Sequence, residues 1–248
     1  MCGRYILING RKVFATFELL KELERKNIPY MNIPRYNASP MQKLPIVVKR
    51  NNEIQPMEAT WWLIPHWSKT GKPDPAFKSF NARAEGLALS KLFSPYFRAR
   101  RCLIPADGFY EWKRTIAEKE VKGKVKKVET KIPMCIRMKD LRPFYFGGMF
   151  SIWKDSEEKE HPSFTIITTV PNGLMETIHN RMPVILHEEN FEAWLDPNMN
   201  DVDFLQQLLV PYPAELMKAF PVSTLVNNSS NNDPQCIEPV AEEEYYEK

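Results

Sequence analysis

Short apolar runs punctuated by turn residues recur along this chain without settling into the strand–helix–strand rhythm that a parallel sheet requires. Strands are expected at residues 5–8, with a turn at Asn9-Gly10, and at 46–48 and 54–60, paired through Asn51-Asn52. Residues 102–106 and 109–112 flank a turn at Asp107-Gly108, and further strands are expected at 134–138, 144–150, 164–169 and 222–226. Helical spacing of Phe14, Phe17, Leu19, Leu20 and Leu23 predicts an amphipathic helix over 13–26. Shorter helices are predicted to end near Leu92, to start at Asn172 as N-cap, and to cover 188–195 and 202–209. With only 9 glycines there is no Gly-rich phosphate loop, and neither a zinc-protease helix nor a serine-nucleophile elbow is present. The pattern is that of an α+β protein with a single domain, 2–240, followed by an acidic tail, 241–248.

A chain of 248 residues can bury a sizeable core, and 43% hydrophobic with 26% charged residues is the balance of a soluble globular protein. No apolar run reaches the ~18 residues of a spanning helix, and no signal peptide is evident, so a cytoplasmic protein with no membrane contact is expected. The four cysteines, Cys2, Cys102, Cys135 and Cys236, lack metal-ligand spacing and are expected as free thiols, with no metal and no cofactor. Net charge is +3, and the acidic tail leaves the body more basic than the total. The cluster Arg98, Arg100 and Arg101 has the composition of a solvated face, and residues 114–131, rich in Lys and Glu, are predicted to form a projecting hairpin. In Trp61-Trp62-Leu63-Ile64-Pro65-His66-Trp67, at least two indoles are expected in the core; one left at the surface is suited to stacking on a nucleic-acid base. Glu111, between Tyr110 and Trp112, fits either a functional carboxylate or a water-facing edge position.

Met1-Cys2-Gly3-Arg4 carries unusual chemistry. Once the initiator methionine is removed, Cys2 bears both a free α-amine and a thiol, whose reference pKa values lie at about 8 and 8.5. An aldehyde condenses with such an amine to an imine, and the thiol then closes a five-membered thiazolidine. With Met1 in place the amine is on the wrong residue, so activity is expected to begin only on its removal.

Taken together, Met-Cys-Gly-Arg, Tyr36-Asn37-Ala38-Ser39-Pro40, Ile64-Pro65-His66-Trp67, Asn81-Ala82-Arg83-Ala84-Glu85, the run from Arg101 to Trp112, His179-Asn180-Arg181-Met182-Pro183 and Val222-Ser223-Thr224 resemble the SRAP family (SOS response-associated peptidase) over essentially the whole chain. The resemblance implies a barrel-like mixed sheet flanked by short helices and a protein, monomeric in our reading, that shields abasic sites in single-stranded DNA through a thiazolidine crosslink to Cys2. It also implies catalytic roles for Cys2, Asn81, Glu111 and His179, and DNA contacts from Arg4, Pro40, Trp67, Arg83, Lys91, Thr168 and Arg181. Two positions depart from the family pattern: Asn180 replaces a common acid, and Trp62 stands where Gly is usual. Two rival readings are a cysteine peptidase using Cys2 and His179, and a non-covalent single-strand binder. An imine with an abasic aldehyde also promotes β-elimination, so abasic-site lyase chemistry is expected as a side reaction. Only Met1 precedes Cys2, so no longer propeptide is expected.

Overall fold

The computed structural model describes residues 2–8, 13, 29–74, 76–121, 124–241 and 245; apart from Val13, the predicted helix over 13–26 lies outside them, as does the Asn9-Gly10 turn. The strands are β1 (Tyr5–Leu7), β2 (Arg35–Ala38), β3 (Lys43–Arg50), β4 (Glu53–Trp61), β5 (Asn81–Arg83), β6 (Arg101–Ala106), β7 (Gly108–Val121), β8 (Lys124–Met138), β9 (Phe144–Lys154), β10 (Glu160–Thr169), β11 (Met182–Pro183), β12 (Ile185–Leu186) and β13 (Met217–Pro221). Short helices α1 (Ser94–Ala99), α2 (Gly173–Glu176), α3 (Phe191–Leu195) and α4 (Val202–Gln207) flank them.

Five strands close a barrel in the order β10-β4-β3-β6-β9, with β9 pairing back onto β10. The β10–β4 pairing is parallel and the others antiparallel, so the barrel is mixed. A second, antiparallel sheet runs β13-β8-β7-β1-β2. Every residue of β6 is buried, as are the first eight of β9, because both faces of these strands are covered. Gly148 permits closure: a Cβ there would collide with Ile104 Cδ1 and stand 2.7 Å from Thr165 O. The barrel is sealed by aromatic packing around Trp61, whose ring meets Tyr5 edge-on at 5.2 Å and stacks on Phe164 at 6.2 Å.

The predicted hairpin through Asn51-Asn52 forms as β3–β4, both asparagines taking positive φ, 51° and 63°, as a two-residue turn demands. Asp107-Gly108 does something else. It carries the chain from β6 in the barrel to β7 in the second sheet, two strands that do not pair with each other. Asp107 N–H donates to Ile6 O (2.8 Å) and its Oδ2 accepts from Ile8 N (2.7 Å), so the crossing also grips β1. A Cβ on Gly108 would lie 2.8 Å from Arg137 Cγ and 2.9 Å from Ile136 O, so only glycine fits this approach.

The basic cluster at 98–101 divides. Arg98 is exposed, but Arg101 is only 3% exposed. Its guanidinium donates to the carbonyls of Trp194 (2.7 Å), Phe97 (2.8 Å), Arg98 (2.6 Å) and Asp196, and lies 5.8 Å from the Trp194 ring centroid. These carbonyls come from the ends of α1 and α3, which lack intrahelical donors. Burial lowers the Arg101 pKa to about 10, which leaves it charged at neutral pH. Arg101→Met strands several buried carbonyls at ~1–3 kcal/mol each, and a net loss on the order of 3–5 kcal/mol is expected in urea unfolding. A change within the ~0.5 kcal/mol typical of surface substitutions would contradict this assignment. Within the acidic tail, Tyr245 is buried and its hydroxyl donates to Val222 O.

Candidate active site

The pairing of β1 with β7 places Tyr5 opposite Phe109 and Ile6 opposite Gly108, and Tyr110 N–H extends the ladder to Arg4 O (3.0 Å). Cys2 is thereby drawn under the sheet, fully buried, with its thiol 3.8 Å from Arg4 O. Burial first, and the Glu111 carboxylate second, push the thiol pKa far up, so it is protonated here. Asn81 opens β5, which is held parallel to β10. Its Nδ2 donates to Cys2 O at 2.7 Å, while its buried Oδ1 has no hydrogen-bond partner among the described residues. One side of the amide therefore fixes the Cys2 backbone and the other keeps an acceptor in reserve.

Glu111 is not at an edge. It pairs with Met134 of β8, one residue past the Tyr110–Arg4 bond that extends the β1 ladder, and is 3% exposed. Burial raises its pKa from 4.5 to about 7, close to the optimum for a group that must both take and give a proton at neutral pH.

His179 arrives from the other side of the molecule. Asn172 caps α2 as predicted, accepting from Met175 N at 2.9 Å, and the helix is one short turn whose end is closed by His179 N–H on Met175 O (2.8 Å). His179 Nδ1 lies 3.1 Å from Arg181 N and 3.3 Å from Arg181 O, so the Arg181 backbone holds this side of the ring and Nε2 faces Glu111 Oε2 at 3.9 Å. Burial lowers the His179 pKa, and the cations of Arg114 and Arg181 push it the same way.

Arg181 is mostly buried, with its side chain 13% exposed, and is committed inside the protein. It forms a fork with Glu85 (2.6 and 3.0 Å) and donates to Thr168 O (2.6 Å). Glu85 supplies the acid that Asn180 does not. Sequence reading assigned Glu85 no role; the signal was the missing acid at 180, which implied a carboxylate from elsewhere. Thr168 is fully buried and its hydroxyl donates to Ala82 O at 3.3 Å, so both residues join β5, β10 and the His179 turn.

The remaining predicted contact residues are spread over several elements. Arg4 is half-buried and donates to Asn227 O (3.3 Å). Arg83 is exposed on β5, and Pro40 opens a turn whose next residue, Met41, has φ 76° and hydrogen-bonds Trp61 O (3.0 Å). Trp67 is 62% exposed, whereas Trp61 is in the core and Trp62 leans on Phe80 at 5.2 Å. Trp67 and Lys91 line one apolar groove of about 860 Å³ with Leu63, Phe77 and Phe93. A different groove, about 360 Å³, opens onto two of the catalytic candidates and is lined by Glu111, Trp112, Arg114, Lys131, His179 and Asn227.

Residues 1–229 match the family described as SOS response associated peptidase (SRAP). The chain is 40% identical over 243 residues to the Bacillus subtilis abasic site processing protein YoqW, covering 96% of this chain and 99% of that one. It is 31% identical over 226 residues to the Xenopus tropicalis abasic site processing protein HMCES, covering 82% of this chain and 65% of the relative. A crystal structure of a Bacteroides thetaiotaomicron protein superimposes with a TM-score of 0.72 at 26% identity, covering 97% of this chain and all of that one. With the family matched from end to end of the site just described, the chain belongs to the SRAP family.

Proposed function

We propose that this protein processes abasic sites by forming a covalent thiazolidine between Cys2, after loss of Met1, and the ring-opened aldehyde of an abasic deoxyribose in single-stranded DNA. The names of its relatives support the lesion class. The observation that carries the chemistry is a chain of neighbours: Asn81 holds the Cys2 backbone, the Glu111 carboxylate acts on the Cys2 thiol, and Glu111 faces His179 across 3.9 Å in one groove.

The steps balance with release of one water. The Cys2 α-amine adds to C1 of the aldehyde, and Glu111 takes the proton the amine sheds. Glu111 returns that proton to the alkoxide, giving the carbinolamine, and the second amine proton, relayed from Glu111 through His179, leaves with the hydroxyl as water to give the imine. The thiol then adds to the imine carbon, its proton passing through Glu111 to the nitrogen. Asn81 orients the residue through Cys2 O and offers Oδ1 to the amine or sugar. Ring closure consumes the imine and so suppresses the β-elimination that an abasic-site lyase would promote.

A thiol raised by burial and by a neighbouring carboxylate supports this amine-first route over a thiolate peptidase, whose nucleophile needs a lowered pKa. The protein acts as a cytoplasmic monomer on this reading. The test is a denaturing gel: protein lacking Met1, mixed with a uracil-excised single-stranded oligonucleotide, is expected to give a slower band. An uncleavable N-terminal tag is expected to abolish it. Persistence of the band in the tagged protein would overturn the role of the Cys2 amine.

A further inference from the structure

We propose that Arg114 and Lys131 form a phosphate subsite in the groove that Glu111 and His179 line, so that Cys2 reacts with an aldehyde borne on a DNA backbone in preference to a free one. The proposal rests on the crosslinking reading above.

Register carries it. Arg114 and Lys131 are directly opposed across β7 and β8, on the face that also bears Trp112 opposite Pro133. Side chains so opposed stand ~5 Å apart at Cβ, and two cations there repel, so the pairing is unfavourable until an anion bridges it. Among the described residues, the ion pair at this point is Arg114 with Glu129, at 3.3 Å, the two side chains 71% and 55% exposed. A solvated pair of that kind is worth ~0–1 kcal/mol and yields readily to a phosphate.

Position gives the pair its function. Both cations line the 360 Å³ groove with Glu111 and His179. A second groove of about 510 Å³, between this hairpin and the residues following Pro171, shares Trp112, Arg114 and His179 with the first, so a strand has a continuous path past the histidine. Trp112 is fixed as the floor by its indole N–H on Asn227 Oδ1 (2.7 Å). Arg114 is close enough for its charge to depress the His179 pKa. An abasic sugar is joined directly to a phosphate on each side, so anchoring one phosphate here positions C1 next to the nucleophile. Free aldehydes lack that handle.

The test compares two substrates on protein lacking Met1. Crosslinking to an abasic single-stranded oligonucleotide is followed over a range of salt, and Cys2 modification by free 2-deoxyribose is followed by mass. For R114Q/K131Q the oligonucleotide rate is expected to fall about tenfold, with the salt slope shallower by ~0.7 for one lost phosphate. Reaction with 2-deoxyribose, compared at each protein's optimum pH so that loss of the Arg114 charge near His179 is allowed for, falls far less than that with the oligonucleotide, and R114K/K131R restores the oligonucleotide rate. An unchanged oligonucleotide rate and salt slope would overturn the subsite. Equal loss towards both substrates would overturn it too, by showing that the hairpin merely supports the fold. Absence of any oligonucleotide product from the wild type would instead overturn the crosslinking reading itself.

Discussion

Cys2→Ala protein, processed so that the introduced alanine is N-terminal, leaves no denaturation-resistant product on abasic single-stranded DNA, and it nicks that DNA instead. The substitution keeps an α-amine at the same place, so the aldehyde still condenses to an imine. Without Sγ the imine has no intramolecular trap, and it either hydrolyses back or loses the 3′ phosphate by β-elimination. Borohydride added during the reaction is therefore expected to capture an adduct in Cys2→Ala that is missing without it. The fold tolerates the change: Cys2 is a small buried side chain, and truncating it removes one sulfur from the core, a cost on the order of 1 kcal/mol. A thermal melt close to wild type separates lost chemistry from lost structure. A stable crosslink from the alanine variant would show that the thiol is not the trap.

Glu111→Gln is expected to slow crosslinking by ~10²–10⁴-fold, the range for a positioned proton-transfer group. It is also expected to make the protein more stable above neutral pH. The carboxyl is raised from 4.5 to about 7 by burial, so between those values the native state holds a proton that the unfolded state has lost. Unfolding free energy then falls as pH rises from about 4.5 to about 7, and above pH 7 the full cost of the buried carboxylate is present. A neutral amide at this position carries no such cost, so the variant gains on wild type across that window and is equal to it below. The wild-type rate is expected to climb as pH rises through about 7 and the variant's to lose that inflection. Denaturant melts at about pH 4 and about pH 8, either side of the window, with a rate profile between them check both halves. A variant less stable than wild type at the upper pH would refute the electrostatic account of Glu111.

How far the sequence reading reached depended on whether the information was local. The β3–β4 hairpin was readable because Asn51-Asn52 suits the positive φ that the turn needs. Asn172 was readable as a cap for the same reason, its side chain acting on a backbone N–H three residues on. Asp107-Gly108 announced a turn, but not that the turn moves the chain from one sheet to another, since sheet membership is decided by strands distant in sequence. Arg101 looked solvated because composition cannot show that the ends of α1 and α3 converge on it. Glu111 looked compatible with an edge because the groups placed beside it, Cys2 and His179, lie far away in the chain. The candidate catalytic residues were found through family resemblance and chemistry; their placement as neighbours, the Glu85 fork on Arg181 and the opposed cations on the hairpin required coordinates.

The central claim is that Cys2 closes a thiazolidine on the lesion, and mass spectrometry of the adduct tests it most directly. The intact product is expected to weigh the protein without Met1 plus the oligonucleotide minus one water, to survive borohydride without gaining hydrogen, and to fragment with the sugar remnant on Cys2. An adduct that retains Met1, maps to a lysine, or takes up hydrogen on borohydride treatment would contradict it.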